Sequence, residues 1–155
     1  MIAALAAALV LSMDGTCARL ELLDVFGEVP FDTPVTSELI GTTLRGNCRD
    51  PGGTCRLHDR TGVAYEVSGG RVVSKTRPPA WNVELPFGLR GRSYREITEA
   101  LKGRGISDDA MTIFISTHDP GRVEVAVCGR PLKLRISQNS AGRARSVAII
   151  PADRP

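Results

Sequence analysis

The sequence is poor in aromatic residues, lysine and histidine. Of its 155 residues, seven are aromatic, three are Lys and two are His, whereas 17 are Arg. Because the Arg residues are scattered and aromatics are few, the chain lacks the basic surface interleaved with stacking rings that binds single-stranded nucleic acid, and we expect no nucleic-acid partner. The Arg excess has two interpretations, namely recognition of phosphate or carboxylate or the codon usage of a GC-rich genome, and we favour the second.

The chain also lacks an apolar segment of the roughly 20 residues that a membrane-spanning helix requires. Residues 2–11 form a short apolar run, and Thr16 and Ala18 are small enough for the recognition sites of signal peptidase. We therefore predict a signal peptide over residues 1–18, cleavage before Arg19, a periplasmic or secreted location and no transmembrane segment in the mature chain. A buried N-terminal helix is one alternative. A lipoprotein acylated at Cys17 is another, although residues 14–16 (Asp-Gly-Thr) match the usual preceding segment poorly.

Catalytic signatures are missing as well. The sequence has no Ser in a nucleophile elbow, no Gly-rich loop between a strand and a helix, and no Cys or His pair at zinc-ligand spacing. We therefore predict no catalytic residue, no metal ligand and no cofactor. The exception to weigh is a repeated pair, His58-Asp59 and His118-Asp119, which would suit a metal site or a base oriented by a carboxylate. Each pair begins a reverse turn, and adjacent strand residues point to opposite faces, so we favour a turn role.

The sequence contains four cysteines, and in the oxidising compartment that the signal peptide implies, cysteines form disulfides. Cys48 and Cys55 flank a Pro-Gly-Gly turn that brings two thiols within bridging distance, and we predict that they form a disulfide worth about 2.5 kcal/mol in the chain-entropy model. Two legs of a metal site are the alternative. If cleavage follows Ala18, Cys128 remains as an odd thiol, either buried or available for intermolecular pairing.

Short sequence landmarks recur in the same order along the chain, which predicts an internal repeat. The landmarks are 28–31 with 84–87 (Glu-x-Pro-Phe), 44–46 with 101–103 (Leu-basic-Gly), 58–59 with 118–119 (His-Asp), and 70–71 with 129–130 (Gly-Arg). We expect two units of similar structure, with matching glycines at their turns.

In the second unit, Ser93 and Glu96 form a capping-box pattern that predicts a helix ending near Gly103. Alternating apolar residues and turn signals then predict strands over 111–117, 122–128, 132–137 and 146–150. The first unit predicts a short helix within residues 36–44 and strands over 55–58, 63–68 and 71–75. Short connections imply antiparallel meanders.

The predicted fold class is therefore α+β: two tandem units, each a helix plus an antiparallel meander, with the helices on one face of a shared sheet. After the signal peptide, the units span residues 19–83 and 84–155 and form one compact domain. The apolar residues Ile40, Leu44, Ile97 and Leu101 should be buried beneath the helices.

The segment 86–89 (Pro-Phe-Gly-Leu) leading into a Ser-capped helix, followed by a meander, resembles the small periplasmic repeat proteins of the β-lactamase inhibitory protein and small outer-membrane lipoprotein A type. The strand 62–67 (Gly-Val-x-Tyr-x-Val) and the hairpin 70–73 (Gly-Arg-Val-Val) belong to the same resemblance. It implies a binding or assembly role without catalysis.

These observations favour an exported, non-catalytic binding or assembly module whose partner is another envelope protein. A small hydrolase or metal-dependent enzyme using the two His-Asp pairs is the alternative. The candidate binding residues are Trp81, in the linker between the units, together with His58 and His118. Trp81 has a second interpretation, as a cover for the junction between the units.

Overall fold

The structure is a computed structural model, and it describes residues 15–50, 52–79, 84–115, 117 and 120–155. Residues 1–14, which hold most of the predicted signal peptide, lie outside the described residues, as do Trp81 and His118. No helix in the described part of the chain is long and apolar enough to cross a bilayer.

A single seven-stranded antiparallel sheet dominates the fold, in the order β1-β2-β3-β7-β6-β5-β4. The strands are β1 (Thr54–His58), β2 (Ala64–Ser68), β3 (Arg71–Arg77), β4 (Met111–Phe114), β5 (Arg122–Ala126), β6 (Leu132–Gln138) and β7 (Ala144–Pro151). The two predicted meanders are present, and they join where β3 pairs with β7, with Thr76 opposite Ala148. Each strand forms because apolar and polar residues alternate between Gly- or Pro-containing turns.

In the described part of the chain, three α-helical segments accompany the sheet: α1 (Leu20–Leu23), α2 (Leu39–Thr42) and α3 (Tyr94–Gly103). Two short 3-10 helices, Pro86–Gly88 and Asp108–Ala110, lie on either side of α3. Only α3 is long, and it begins as predicted, because the Ser93 hydroxyl accepts from the Glu96 amide while the Glu96 carboxylate accepts from the Ser93 amide. Its buried residues, Ile97 and Leu101, belong to the hydrophobic core.

Among its described residues, the first unit contains no helix comparable to α3. Within residues 36–44, helical hydrogen bonding covers only α2, and two of its four residues leave helical geometry, with Ile40 at ψ 115° and Gly41 at φ 104°. Glycine favours this break, because a positive φ costs it nothing. Leu44 is buried as predicted, but Ile40 is only partly buried. The fold is therefore mostly sheet, and the tandem repeat with helices on one face remains a prediction.

The glycines predicted to match between the units behave differently. Gly62, Gly70 and Gly129 have positive φ, whereas Gly121 does not. At Gly121 an added Cβ would lie 2.3 Å from the Gln138 side-chain oxygen, so close packing rather than turn conformation requires glycine there.

The cysteines form two disulfides, Cys48–Cys55 and Cys17–Cys128. The first is the predicted pair. The second pairs Cys128 with Cys17, whose Cα lies 5.0 Å away, so Cys128 is not free in the uncleaved chain. An odd thiol is expected only if cleavage follows Ala18. Ala18 is also buried and pairs with Val127 through a parallel bridge, so both residues that precede the predicted cleavage site are part of the fold.

Candidate binding face

The sheet has one apolar and one polar face, because successive side chains on a strand point in opposite directions. On β5, Val123 and Val125 enter the core, so Glu124 between them points to the other side. Residues paired with each other on neighbouring strands point to the same side of the sheet, so the register identifies the residues on the side of Glu124. We call this side the polar face. Its residues are Arg56, His58, Ala64, Glu66, Ser74, Thr76, Thr112, Phe114, Arg122, Glu124, Ala126, Lys133, Arg135, Ser137, Ser146, Ala148 and Ile150.

Glu124 is the centre of a cationic cluster on the polar face. Its Oε2 lies 2.7 Å from Arg135 Nε, 3.3 Å from Lys133 Nζ and 3.3 Å from Arg122 Nε. Burial by itself would raise the pKa of Glu124, but hydrogen bonds from Arg135 and Lys133 outweigh it and lower that pKa. One carboxylate therefore faces three cations, and the cluster has a local excess of positive charge.

A second cluster surrounds Glu66 on β2. Its carboxylate lies 2.9 Å from an Arg154 guanidinium nitrogen and 3.5 Å from one of Arg56. The hydrogen bond from Arg154 lowers the pKa of Glu66, and the Ser74 hydroxyl adds to this effect. The carboxylate is therefore ionised at neutral pH, and Arg56, whose side chain is 79% exposed, extends the charge toward solvent.

The segment after β7 connects the two clusters. The Arg154 carbonyl accepts from Lys133 Nζ at 2.6 Å and from Arg135 at 3.1 Å, while the Arg154 guanidinium reaches Glu66 on the other half of the sheet. These contacts hold Arg154 across the polar face. Both clusters thus keep fixed positions relative to each other.

Small side chains lie between the clusters. Register places Ala64 opposite Thr76, Thr76 opposite Ala148, and Ser146 opposite Ser137. We call these small side chains the floor of the polar face, because they allow the backbone or a flat group of a partner to approach the sheet closely. Guanidinium groups, such as those beside the floor, bind carboxylate or phosphate groups through two parallel hydrogen bonds. Counting Arg154, the face has five basic and two acidic side chains, so its complement is an anionic surface.

A depression of about 510 Å³ beside α3 is a weaker candidate. It is lined by Phe87, Gly88, Arg92, Arg95, Glu96, Glu99 and Ala100. Arg92 and Glu96 neutralise each other at 2.9 Å, and this pairing lowers the pKa of Glu96 to about 2. Phe87 is held at φ 63°, which is unusual for a residue other than glycine. The charges of this depression balance within it, so nothing there selects a ligand.

The first predicted His-Asp pair is divided between surface and interior. His58 is exposed on the polar side of β1, whereas Asp59 is only 4% exposed. The Asp59 carboxylate accepts from the amides of Thr61 and Val63, at 2.9 and 3.2 Å, as expected for a turn residue. The structure therefore does not bring Asp59 to His58 as an orienting carboxylate.

No cluster of metal-ligating side chains occurs within the described ranges. His118 lies outside them, so the enzyme hypothesis based on the two His-Asp pairs stays a prediction. Trp81, the third candidate binding residue, is likewise outside the described residues.

Sequence reasoning missed a buried polar network under the N-terminal segment. Asp59 also accepts from the Glu28 amide and the Tyr65 hydroxyl, both at 2.7 Å, and the same hydroxyl accepts from the Val29 amide at 3.2 Å. Burial would raise the pKa of Asp59, but these hydrogen bonds and that of Thr61 lower it. Burial and the bond to Asp59 together raise the pKa of Tyr65.

Lys75 extends this network. It is 1% exposed, pairs with the Asp24 carboxylate and donates to the Val29 carbonyl at 2.8 Å. Its ammonium lies 5.2 Å from the Phe26 ring centroid and 5.7 Å from that of Tyr65. Lysine at an inward position of an alternating strand was the sequence signal for this site. Since its partners are all buried, the network holds the N-terminal segment to the sheet and offers no surface to a ligand.

Comparison with known proteins assigns no function. No family model, curated protein or solved structure matches the chain. The resemblance to β-lactamase inhibitory protein and small outer-membrane lipoprotein A therefore stays a prediction, and the function must be inferred from the polar face and its chemistry.

Proposed function

We propose that this protein is an exported, non-catalytic binding or assembly module that holds an anionic envelope partner on its polar face. The observation that supports this proposal is that basic side chains outnumber the carboxylates Glu124 and Glu66 with which they pair, next to the small side chains of the polar face. The more exposed Arg122 is held by its ion pair with Glu124 and its contact with the Phe114 ring, and Arg154 is held by its ion pair with Glu66. Little side-chain entropy is therefore lost when a partner binds these two residues.

The two disulfides support the export part of the proposal. Disulfides form and persist in oxidising compartments such as the periplasm or the extracellular space. A periplasmic location and a tandem origin of the two meanders belong to the proposal, as does the placement of helical segments on one face of the sheet, which leaves the polar face accessible.

Capture from an envelope extract tests this function. The bait is the disulfide-bonded protein, compared with a variant in which Arg56→Glu and Arg122→Glu reverse two charges of the polar face. A matched control, Arg90→Glu with Arg95→Glu, reverses two exposed charges away from that face. We expect the same captured protein with wild type and control, and at least a tenfold loss with the double variant.

Two outcomes would contradict the proposal. Equal capture by wild type and the double variant would remove the polar face as the binding surface. Loss of capture with the control would show that general positive charge, and not this face, retains the partner. Circular dichroism of each bait establishes that the charge reversals leave the fold intact.

A further inference from the structure

The two edges of the sheet are built differently. At one edge, the outer side of β1 is covered, because His58 and Arg45 exchange both backbone hydrogen bonds at 2.9 Å and the Cys48–Cys55 disulfide fastens the same segment to the strand. At the other edge, β4 pairs with β5 on its inner side. In the described part of the chain, no segment pairs with the outer side of β4.

The β4 edge is also apolar. Residues 111–115 contain no charged residue and no proline. Ile113, Phe114 and Ile115 are 43%, 37% and 67% exposed and make up three of the four large hydrophobic residues that are exposed among those described. Edge strands in monomeric proteins are normally protected by charge, proline or a covering segment, so an unprotected apolar edge favours addition of another strand.

The charges at the two ends of β4 indicate which strand would add to this edge. Asp108 and Asp109 immediately precede the strand and are exposed. Asp108 is paired with Lys102 at 3.2 Å, so Asp109 is the acid that faces a second copy. At its other end, Arg122 lies opposite Phe114 and its guanidinium stacks 4.0 Å from that ring. When two β4 strands run antiparallel, the acidic start of each lies beside the Arg122 end of the other. A parallel arrangement would place like charges together, at a cost.

We propose that a second copy of this chain pairs with β4 in antiparallel fashion, which extends the sheet across a two-fold axis near Thr112 and Ile113. Such an interface is closed and self-complementary, so it ends at the dimer. Because the uncharged strand meets its own copy, no like charges oppose each other within it. The strand is short, so we expect an interface smaller than the roughly 800 Å² per partner of standard complexes and a weak dimer that dissociates on dilution.

Sedimentation equilibrium of the disulfide-bonded protein over a concentration series tests this inference. The disrupting variant is Ile115→Lys, which puts two ammonium groups into the interface. The matched control is Val25→Lys, at a hydrophobic residue that is 48% exposed outside β4. We expect a monomer–dimer equilibrium for wild type and control, and at least tenfold weaker association for Ile115→Lys.

Spin-label distances between copies establish the direction of pairing. In an antiparallel dimer, a label at Ile113 lies close to its symmetry mate, whereas labels at Asp109 are farther apart. A monomer at every concentration up to about 1 mM, an Ile115→Lys variant that associates as wild type, or equal distances at the two label positions would each overturn the proposal. The polar-face proposal is independent, since Ile115→Lys leaves the charges of that face unchanged.

Discussion

Loss of the Lys75 ammonium should destabilise the protein more than loss of any exposed basic residue. In Lys75→Met, the Asp24 carboxylate keeps the hydrogen bond from the Phe31 amide at 2.8 Å but loses the ammonium group that pairs with it. Because the Asp24 side chain is only 9% exposed, water replaces the lost partner poorly. The Val29 carbonyl loses its donor and two aromatic rings lose their cation contact. Removing one partner of a buried ion pair costs about 3 to 5 kcal/mol, and we expect a decrease in the free energy of unfolding in that range.

A double-mutant cycle separates the charge effect from packing. Asp24→Asn removes the negative charge but keeps an oxygen for the Phe31 amide. In this background Lys75→Met no longer leaves a buried charge unpaired, so its cost should fall by about 2 kcal/mol, within the range measured for contacting residues. Urea unfolding followed by circular dichroism, with both disulfides intact, gives all four free energies.

An exposed pair provides the comparison. Arg92, just before α3, forms an ion pair with Glu96 in the first turn of that helix, and their side chains are 53% and 43% exposed. Exposed pairs contribute about 0 to 1 kcal/mol, so Arg92→Met should have little effect. The reasoning would be refuted if Lys75→Met cost less than about 1 kcal/mol, or if the cycle with Asp24→Asn were additive.

Three further outcomes are expected. Tyr65→Phe removes a hydroxyl that serves Asp59 and the N-terminal segment, and should cost about 1 to 3 kcal/mol in urea unfolding. Cys17→Ser with Cys128→Ser opens a bridge between residues 111 apart, and thermal unfolding should show a loss of about 4.8 kcal/mol. A loss below about 1 kcal/mol would contradict the chain-entropy estimate. The pKa of Glu124 in the folded state lies below its ordinary value of 4.5. Ionised Glu124 therefore stabilises the fold above pH 4.5, and this contribution is lost as the pH falls through the lowered pKa. On acidification, the urea midpoint should fall less for Glu124→Gln than for wild type.

The sheet could be predicted because its signals are local. In β6, Leu132, Leu134 and Ile136 alternate with polar residues, and a turn containing Gly129 precedes the strand. Such a pattern fixes a strand and its core face without knowledge of the rest of the chain. The capping box at Ser93 fixed the start of α3 in the same way.

The segment before β1 could not be predicted, because tertiary contacts determine it. Its buried residues include Leu23, Phe26, Val29 and Phe31, whose spacing fits neither a helix nor a strand. An added Cβ at Gly27 would lie 2.2 Å from the Tyr65 hydroxyl, so the path of this segment depends on a residue far along the chain. The periodicity of a sequence predicts local helices and strands, but not contacts between residues that are far apart in the chain.

The candidate binding face was predicted only in part. An open side of the sheet followed from the meanders, but its charge depends on register, which places Glu124 opposite Arg135 and Glu66 opposite Arg56. These residues are dispersed in the sequence and come together only when neighbouring strands align. His58 and Trp81 were chosen from the sequence because His and Trp are rare in this chain. The rarity of a residue type does not indicate which side chains become neighbours across the sheet.

The start of the mature protein follows from the contacts of Cys17 and Ala18. The Ala18 amide donates to the Ala126 carbonyl, and the Ala18 carbonyl accepts from the Cys128 amide, both at 2.8 Å. Cleavage before Arg19 would remove these bonds, a buried side chain and one disulfide. We therefore expect processing upstream of Cys17, and the intact mass of the exported protein under non-reducing conditions should correspond to a chain that retains Cys17 and has lost the hydrogens of four thiols. N-terminal sequencing that begins at Arg19, with Cys128 alkylated without prior reduction, would show that the fold forms without this bridge.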